Sequence, residues 1–389
     1  MAQSRRHKET RRQVGIIPYG RQTIDGTDIR AVESVFHSRW LTQGPTVSKF
    51  EKAVAKKVGA KFAVAVSSGT AALHIAYLAA GLGSGDEIIV PANTFVATAN
   101  MLLAVGAKPV FCDIRMDTYN MDEALLEKLI TTKTKAIVPV HYAGHPVEMD
   151  NIFRIAKKHN LIVIEDACHA LGTRYHGKPI GGLSSAMSVF SFHPVKVITT
   201  GEGGMVTTAD EKLYRKLLLL RNHGITKDEN GWNSMVTMGF NYRMTDIQAA
   251  LGVSQLKKLD RFIEARRKRV GIYAKLLSDF EDVILPCEAA GCSSVWHLYP
   301  VLLALRHTPN YQHIVTRLKE CGIGIQRHYP PVYRHPYYEG LGYRKGIAPN
   351  AEAFYAAEMS LPLFPTLTKE QQQYVAKTLR NVLKKESLK

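Results

Sequence analysis

Three short stretches of the chain hold residues whose types and spacing could do chemistry. The first is Ser67-Ser68-Gly69-Thr70, set between an apolar run, Phe62–Val66, and a helix-forming stretch, Ala71–Ala80. A small-residue turn at a helix N-terminus presents free N–H groups and the positive end of the helix dipole, which suits a phosphate. Alone, the same turn serves equally well as a plain N-cap. The second is Glu165-Asp166-Ala167-Cys168-His169, at the end of the apolar run Leu161–Glu165. An ionised Asp166 there needs a cation or strong donors, and a protonated ring nitrogen would be such a partner. Read in isolation, Asp166 could cap the next helix and His169 could be an ordinary packed histidine rather than a ring stacked on a flat ligand. The third is Ser191-Phe192-His193-Pro194-Val195-Lys196, followed by Gly201-Glu202-Gly203-Gly204. A lysine in a partly dry pocket can be held deprotonated and nucleophilic, and the glycines let the chain turn tightly past a ligand. Without its neighbours, Lys196 reads as a surface lysine.

The elements around these stretches decide between the readings. From Lys61 to about Thr208, short apolar runs alternate with helical stretches. The runs are Phe62–Val66, Glu87–Val90, Pro109–Cys112, Ala136–Val140, Leu161–Glu165, Met187–Phe192 and Gly204–Thr207. Helices are expected at Ala71–Ala80, Thr98–Val105, Glu123–Ile130 and Met149–His159. Fully apolar short strands separated by helices predict an α/β fold with a mostly parallel sheet covered on both faces. Functional groups in such sheets gather at the C-terminal ends of the strands. A phosphate cradle, a strand-end Asp166 and a loop Lys196 then fall in order on one sheet. Pyridoxal phosphate requires this set: a partner for its phosphate, one for its ring nitrogen and an amine for its aldehyde.

After Asp246 a long helix is expected from Ile247 to about Phe280, leading into a C-terminal unit. That unit holds a strand at His297–Leu303, a helix near Tyr311–Cys321, a loop Gln326–Tyr338 and a closing helix from Lys369. The boundary is placed near Asp260. The resulting division is a disordered basic leader over 1–13, a large domain with an N-terminal arm over 14–260, and a smaller α+β domain over 261–389.

Composition narrows the function classes. With 389 residues, 46% of them hydrophobic, the chain can bury one large core and a second smaller one. The five cysteines, Cys112, Cys168, Cys287, Cys292 and Cys321, are odd in number and scattered, so neither a disulfide framework nor a zinc site is expected. No apolar run reaches membrane length, and the polar, basic start lacks the apolar core of a secretory signal. A reducing compartment, the cytoplasm, is the expected location. The net charge of +17 lies partly in the two tails and in Arg266–Arg269. No nucleic-acid motif accompanies it, and an anionic small-molecule substrate accounts for a basic pocket equally well.

From Pro18 onward the chain resembles the DegT/DnrJ/EryC1/StrS sugar aminotransferases. The resemblance rests on Glu165–His169, on Ser191–Lys196 with Gly201–Gly204, and on Gly239-Phe-Asn-Tyr-Arg-Met-Thr-Asp246. It implies a type I aminotransferase fold, pyridoxal phosphate or its pyridoxamine form as cofactor, and a homodimer with shared active sites. Lys196 would anchor the cofactor's aldehyde and Asp166 would bond its ring nitrogen. Ser191 with Ser68, Gly69 and Thr70 would hold its phosphate. Phe95 and His169 would flank the ring, and Asn241 would reach the cofactor of the neighbouring subunit. Tyr19, the segment Arg39-Trp40-Leu41-Thr42 and the loop Gln326-Arg327-His328-Tyr329 match regions that contact a nucleotide sugar. Further stretches, Pro18–Asp25, Trp40–Pro45 and Val140–Pro146, are similar to members acting in pseudaminic acid synthesis. They imply UDP-4-keto-6-deoxy-N-acetyl-L-altrosamine as amino acceptor and L-glutamate as donor. The rival readings are a perosamine-type or 4-amino-arabinose-type aminotransferase and a non-catalytic protein of the same fold. Relatives that dehydrate sugars carry His in place of the lysine, against which Lys196 speaks. The chain departs from many relatives in having Val197, not His, after that lysine.

Overall fold

The computed structural model describes residues 15–386, so the expected leader at 1–13 lies outside the described residues. Two helices, α1 (Gly26–Phe36) and α2 (Pro45–Val58), precede the first strand. Then follow β1 (Phe62–Val66), α3 (Gly69–Ala79), β2 (Glu87–Pro91), α4 (Ala97–Ala104), β3 (Lys108–Cys112), β4 (Thr134–Ile137), α5 (Met149–His159), β5 (Ile162–Asp166), β6 (Met187–Ser191) and β7 (Gly204–Thr208). These seven strands form one sheet in the order β1-β7-β6-β5-β4-β2-β3. Only β7 runs against its neighbours, β1 and β6; the remaining pairs are parallel. The mostly parallel α/β sheet expected from the apolar runs is therefore present.

The strands read as unbroken apolar runs because both of their faces are covered. Alternate residues point to opposite cores. Ile88, Val90, Ala136 and Ile164 join the cluster built on α3 and α4, while Ile89, Ile137 and Val163 join the one built on α2 and α5. A third cluster lies in the C-terminal part, where β8 (Val283–Ile284), β9 (Tyr299–Leu303) and β10 (Glu358–Leu361) form a small antiparallel sheet. Helices α9 (Tyr311–Glu320) and α11 (Lys369–Glu386) pack there, and α10 (Pro349–Ala357) leads into β10. Ile17, near the chain's start, is buried in this same cluster.

Two expected helices are corrected: Glu123–Ile130 is a 3-10 turn, Glu123–Leu125, followed by a single helical turn, Leu126–Leu129. The stretch Ile247–Phe280 is two helices, α7 (Asp246–Leu256) and α8 (Leu259–Leu277), separated at Lys257-Lys258. The turn lets Ser254, Gln255 and Lys258 converge on the buried carboxylate of Asp28 in α1, at 2.7, 2.8 and 2.7 Å. A buried carboxylate must be satisfied in this way, and that demand overrides the helix-forming composition. Helix α8 joins both layers: Leu259 and Phe262 lie in a core of the large sheet, Tyr273 and Leu277 in the C-terminal core. Between β7 and α7, α6 (Glu211–Arg221) covers the sheet edge through Leu217 and Leu220. Among the described residues, no helix is long and apolar enough to cross a membrane.

Candidate active site

The C-terminal ends of β5 and β6, the N-terminus of α3 and the segment after Ile325 enclose a cavity of about 560 Å³. All three chemical stretches open into it. Ser68, Gly69, Thr70, Asp166, His169, Ser191 and Lys196 line it together with Phe95, Tyr19, Gln326, His328 and Tyr329. A larger cavity of about 630 Å³ lies elsewhere, beside Glu51, Arg221 and Arg243. There the Arg221 guanidinium is already paired, with the Glu51 carboxylate at 2.6 Å and the Ala65 carbonyl at 2.9 Å. The smaller cavity brings together the more reactive groups.

At one end of the site, Ser68 caps α3, its Oγ accepting the Ala71 N–H at 3.1 Å. The capping and the phosphate readings of this turn are thus compatible: the capped end of α3 is itself a wall of the cavity. Gly69 is required there. A Cβ at position 69 would come within 2.9 Å of the Ser191 Cβ and 3.2 Å of its Oγ. Without one, the α3 N-terminus and the Ser191 hydroxyl lie side by side, and a phosphate is the natural ligand of such a pair. Gly204 is equally constrained, since a Cβ there would lie 2.3 Å from the Ser68 carbonyl oxygen.

In the middle of the site, Asp166 is buried at the last position of β5. One carboxylate oxygen accepts the Thr98 hydroxyl at 2.7 Å and the other accepts the Cys168 N–H at 3.1 Å. Thr98 is itself paired with Thr94, four residues earlier in the loop that leads into α4, at 2.8 Å. These neutral donors fix the carboxylate but leave its charge uncancelled, so it is poised for a cationic N–H. Lys196 is half-buried as a residue, but burial of its amine lowers its pKa, against the opposing pull of Cys168 and Asp166. That shift increases the share of neutral, nucleophilic amine near neutral pH.

His169 lies on the cavity wall, its Nε2 3.2 Å from the Tyr329 hydroxyl. Its ring centroid is 4.4 Å from that of His297, and Nδ1 of both rings is buried without a protein partner among the described residues. Burial drives both pKa values well down, so both rings are neutral. Phe95 presents an exposed ring 5.8 Å from Tyr329. A flat ligand with an anionic tail, a basic ring nitrogen and an electrophilic carbon matches this donor set, and pyridoxal phosphate has all three features.

Several sequence-predicted residues lie elsewhere. Arg327 points away from the cavity: its guanidinium is sandwiched 3.6 Å from the Tyr311 ring and 4.1 Å from the Tyr355 ring. It donates to the Ala356 carbonyl at 3.0 Å. The segment Arg39–Thr42 is exposed beside the start of α7, where the Leu41 carbonyl accepts the Asp246 N–H at 2.9 Å and Thr42 bridges to Thr245. Asn241 is exposed, outside its own chain's cavity, and bridges to Asn222. The sequence reading missed Thr98 and His297, which reach the site only through tertiary packing.

Comparison with known proteins agrees with this geometry. The DegT/DnrJ/EryC1/StrS aminotransferase family model matches residues 22–380. The spore coat polysaccharide biosynthesis protein SpsC of Bacillus subtilis is 39% identical over 395 residues, covering 99% of each chain. The UDP-4-amino-4,6-dideoxy-N-acetyl-beta-L-altrosamine transaminase of Campylobacter jejuni is 39% identical over 376 residues, covering 95% of this chain and 98% of the relative. Among solved structures, Helicobacter pylori PseC, an aminotransferase of pseudaminic acid biosynthesis, superposes with a TM-score of 0.91 at 38% identity, covering 95% of this chain and all of that one. The PLP form of the putative sugar aminotransferase Spr1654 from Streptococcus pneumoniae gives 0.91 at 32% identity, covering 95% and 99%. With matches of this length and a cavity built for pyridoxal phosphate, the chain belongs to the DegT/DnrJ/EryC1/StrS aminotransferase family of PLP-dependent enzymes.

Proposed function

We propose that the chain transfers an amino group from L-glutamate to C4 of UDP-4-keto-6-deoxy-N-acetyl-L-altrosamine, in the cytoplasm. The observation that carries the transamination reading is one cavity holding the α3 N-terminus with Ser191, the Asp166 carboxylate and the Lys196 amine. Support for the sugar comes from relatives near 40% identity that are named for UDP-4-amino-4,6-dideoxy-N-acetyl-beta-L-altrosamine, the 4-amino sugar this transfer would yield.

When bound, pyridoxal phosphate supplies an electron sink for a carbanion at the amino-acid Cα. The protein's own residues do the rest. Ser68, Gly69, Thr70 and Ser191 take the phosphate. Asp166, fixed by Thr98 and the Cys168 N–H, would hold a proton on the ring nitrogen. Lys196 would anchor the aldehyde, and its amine, kept partly neutral by burial, would take the proton from the amino-acid Cα and deliver it to the aldehyde-derived carbon. Phe95 and His169, both on the cavity wall, would take the two sides of a flat ring bound there. Tyr19, Gln326, His328 and Tyr329 border the sugar's side of the cavity. Their aromatic faces and hydroxyls suit a sugar or base ring.

Discrimination between sugar epimers can be large only where the wrong isomer leaves a buried polar group unpaired. The buried His328 and the Gln326 amide fill that role in our reading. The altro epimer of the UDP-4-keto-6-deoxy-HexNAc is expected to outcompete the gluco epimer and GDP- or dTDP-linked 4-keto sugars in kcat/KM, with glutamate as donor. Equal or better use of any competitor would demote the altrosamine assignment and leave transamination intact.

The working unit in our reading is a homodimer in which Asn241 and Arg39–Thr42 serve the partner's cavity. Their exposure outside their own cavity supports this. So do exposed apolar side chains in the same and neighbouring stretches of chain: Trp40, Leu41, Trp232, Met235 and Met238 are each more than half exposed, and large apolar side chains left exposed in that number call for a cover. Mixing an inactive Lys196→Ala chain with an inactive, cofactor-deficient Asn241 variant is expected to restore activity, because one site of the hybrid collects both defects and the other neither. No recovery after verified subunit exchange would rule out the shared site.

A further inference from the structure

Behind His328, two residues of β10 form a buried polar chain for which the transamination chemistry has no evident need. Glu358 and Ser360 stand two positions apart on β10, so their side chains share a face. Both are buried, and Glu358 is completely enclosed. The Ser360 Oγ lies 2.6 Å from the Glu358 Oε1 and 2.8 Å from the His328 Nδ1. The other carboxyl oxygen, Oε2, accepts the backbone N–H of His328 at 2.9 Å. The Tyr142 hydroxyl donates to the His328 carbonyl at 2.6 Å, fixing the residue from the opposite side. The Nε2 of His328 makes no hydrogen bond among the described residues and is not sealed off, and the ring lines the cavity.

A single hydroxyl links the ring to the acid, which ties the two protonation states together. A hydroxyl donates one hydrogen bond and can accept others. With Glu358 ionised, Ser360 donates to Oε1 and must accept from Nδ1–H, so Nε2 is a bare acceptor. With Glu358 neutral, its proton belongs on Oε1, because Oε2 is occupied by the His328 N–H. The acid then donates to Ser360, Ser360 donates to Nδ1, and the ring carries its proton on Nε2.

We propose that Glu358, acting through Ser360, sets the tautomer of His328, so that its cavity-facing Nε2–H donates to an oxygen acceptor of the substrate. Glu358 and Ser360 are positioning residues in this scheme. Switching moves one proton along the chain: Oε1–H passes to Ser360, the Ser360 proton passes to Nδ1, and the Nε2 proton leaves into the cavity. Atoms and charge balance, with Glu358 left ionised and His328 neutral in both states.

The surroundings favour the neutral acid at ordinary pH. Burial pushes Glu358 up to about 8, against the lowering effects of its bonds to Ser360 and the His328 N–H and of the Arg327 charge. The other titratable groups near it, Tyr119, Tyr142, Tyr311 and Tyr329, all have raised pKa values and stay neutral. His328 itself is held down to about 3 by burial and by the Lys196 charge, so it does not become an imidazolium. The donor form therefore prevails below about pH 8 and gives way to the acceptor form above it. The substrate clause rests on the nucleotide-sugar reading, in which a carbonyl or phosphate oxygen is available as acceptor; the tautomer clause does not.

The test is ¹⁵N NMR of holoenzyme labelled at the histidine rings, with His328→Gln identifying the signals. In the wild type, the protonated nitrogen is expected to be Nε2 at pH 6.5 and Nδ1 at pH 9.5. In Glu358→Gln the amide oxygen can take the His328 N–H while the NH₂ donates to Ser360, locking Nε2–H across the range. A wild-type tautomer that stays fixed from pH 6.5 to 9.5, or one that switches alike in Glu358→Gln, overturns the relay whatever the substrate is. The wild-type titration reads the switch without relying on Glu358→Gln to fold. In kinetics, KM for the UDP-sugar is expected to rise about tenfold between pH 7 and 9.5, as for loss of one hydrogen bond, with a flat profile in Glu358→Gln. A parallel rise in both proteins overturns the contact to substrate, and loss of all sugar turnover with an intact tautomer switch counts instead against the nucleotide-sugar reading.

Discussion

Lys196→Ala is expected to reduce kcat by more than about 10⁴-fold while the protein still binds pyridoxamine phosphate. The variant removes both the covalent anchor and the group that moves the proton, and proton transfer alone contributes roughly 10²–10⁴-fold. Binding survives because the phosphate cradle at Gly69 and Ser191 and the fixed Asp166 are untouched. The fold survives because burial already disfavours the lysine's charged form, so deleting it removes a desolvation cost. Steady-state turnover paired with equilibrium dialysis of pyridoxamine phosphate checks both halves. Substantial activity in a clean preparation would sink the aminotransferase assignment for this site.

Asp166→Asn is expected to cost roughly 10³-fold in kcat, the scale of removing one preorganised electrostatic partner. The amide is nearly isosteric. Its oxygen can keep the Cys168 N–H, and its NH₂ can face Thr98, whose hydroxyl can accept while donating to Thr94. What disappears is the charge that holds a proton on the ring nitrogen. Thermal stability should therefore change far less than turnover. A variant with kcat within tenfold of wild type, at unchanged cofactor occupancy, would mean that the Asp166 charge is not what sustains the ring's protonation.

The large sheet was legible in the sequence because a parallel sheet covered on both faces has a simple signature. Six of the seven apolar runs begin within a residue of their strands, and Ala136–Val140 is displaced by two. Helix α5 was read to the residue, since Asn160 supplies a left-handed cap after a basic last turn. The break between α7 and α8 was not legible: its cause is Asp28, more than 220 positions earlier in the chain. The same limit governs the site. Lys196, Asp166 and the Ser68–Thr70 turn are each ambiguous alone and became legible only as an ordered set, at strand ends and a helix start of one sheet. Arg327 was misplaced because a sequence reading sees a cation next to a substrate-contacting loop and not the two tyrosines that capture it. Glu358 and Ser360 were not singled out, because a Glu two positions from a Ser on a short strand is ordinary until a histidine from another segment lies against it.

The N-terminal arm has a consequence for how the molecule is made. The Ile17 N–H is bonded to the Gly322 carbonyl at 2.9 Å, and the Ile17 carbonyl accepts the Gly324 N–H at 2.7 Å. Two residues on, Tyr19 lines the cavity. During synthesis the arm must wait for partners some 300 residues downstream, which at ordinary elongation rates is roughly 15–60 s. The sheet and its cofactor-binding groups can form in that interval, but the wall carrying Tyr19 cannot be completed until the C-terminal layer has left the ribosome. A nascent chain stalled before residue 322 would be a cradle open to solvent on the sugar's side, and a bulky fusion at the N-terminus would disturb the last joint to close.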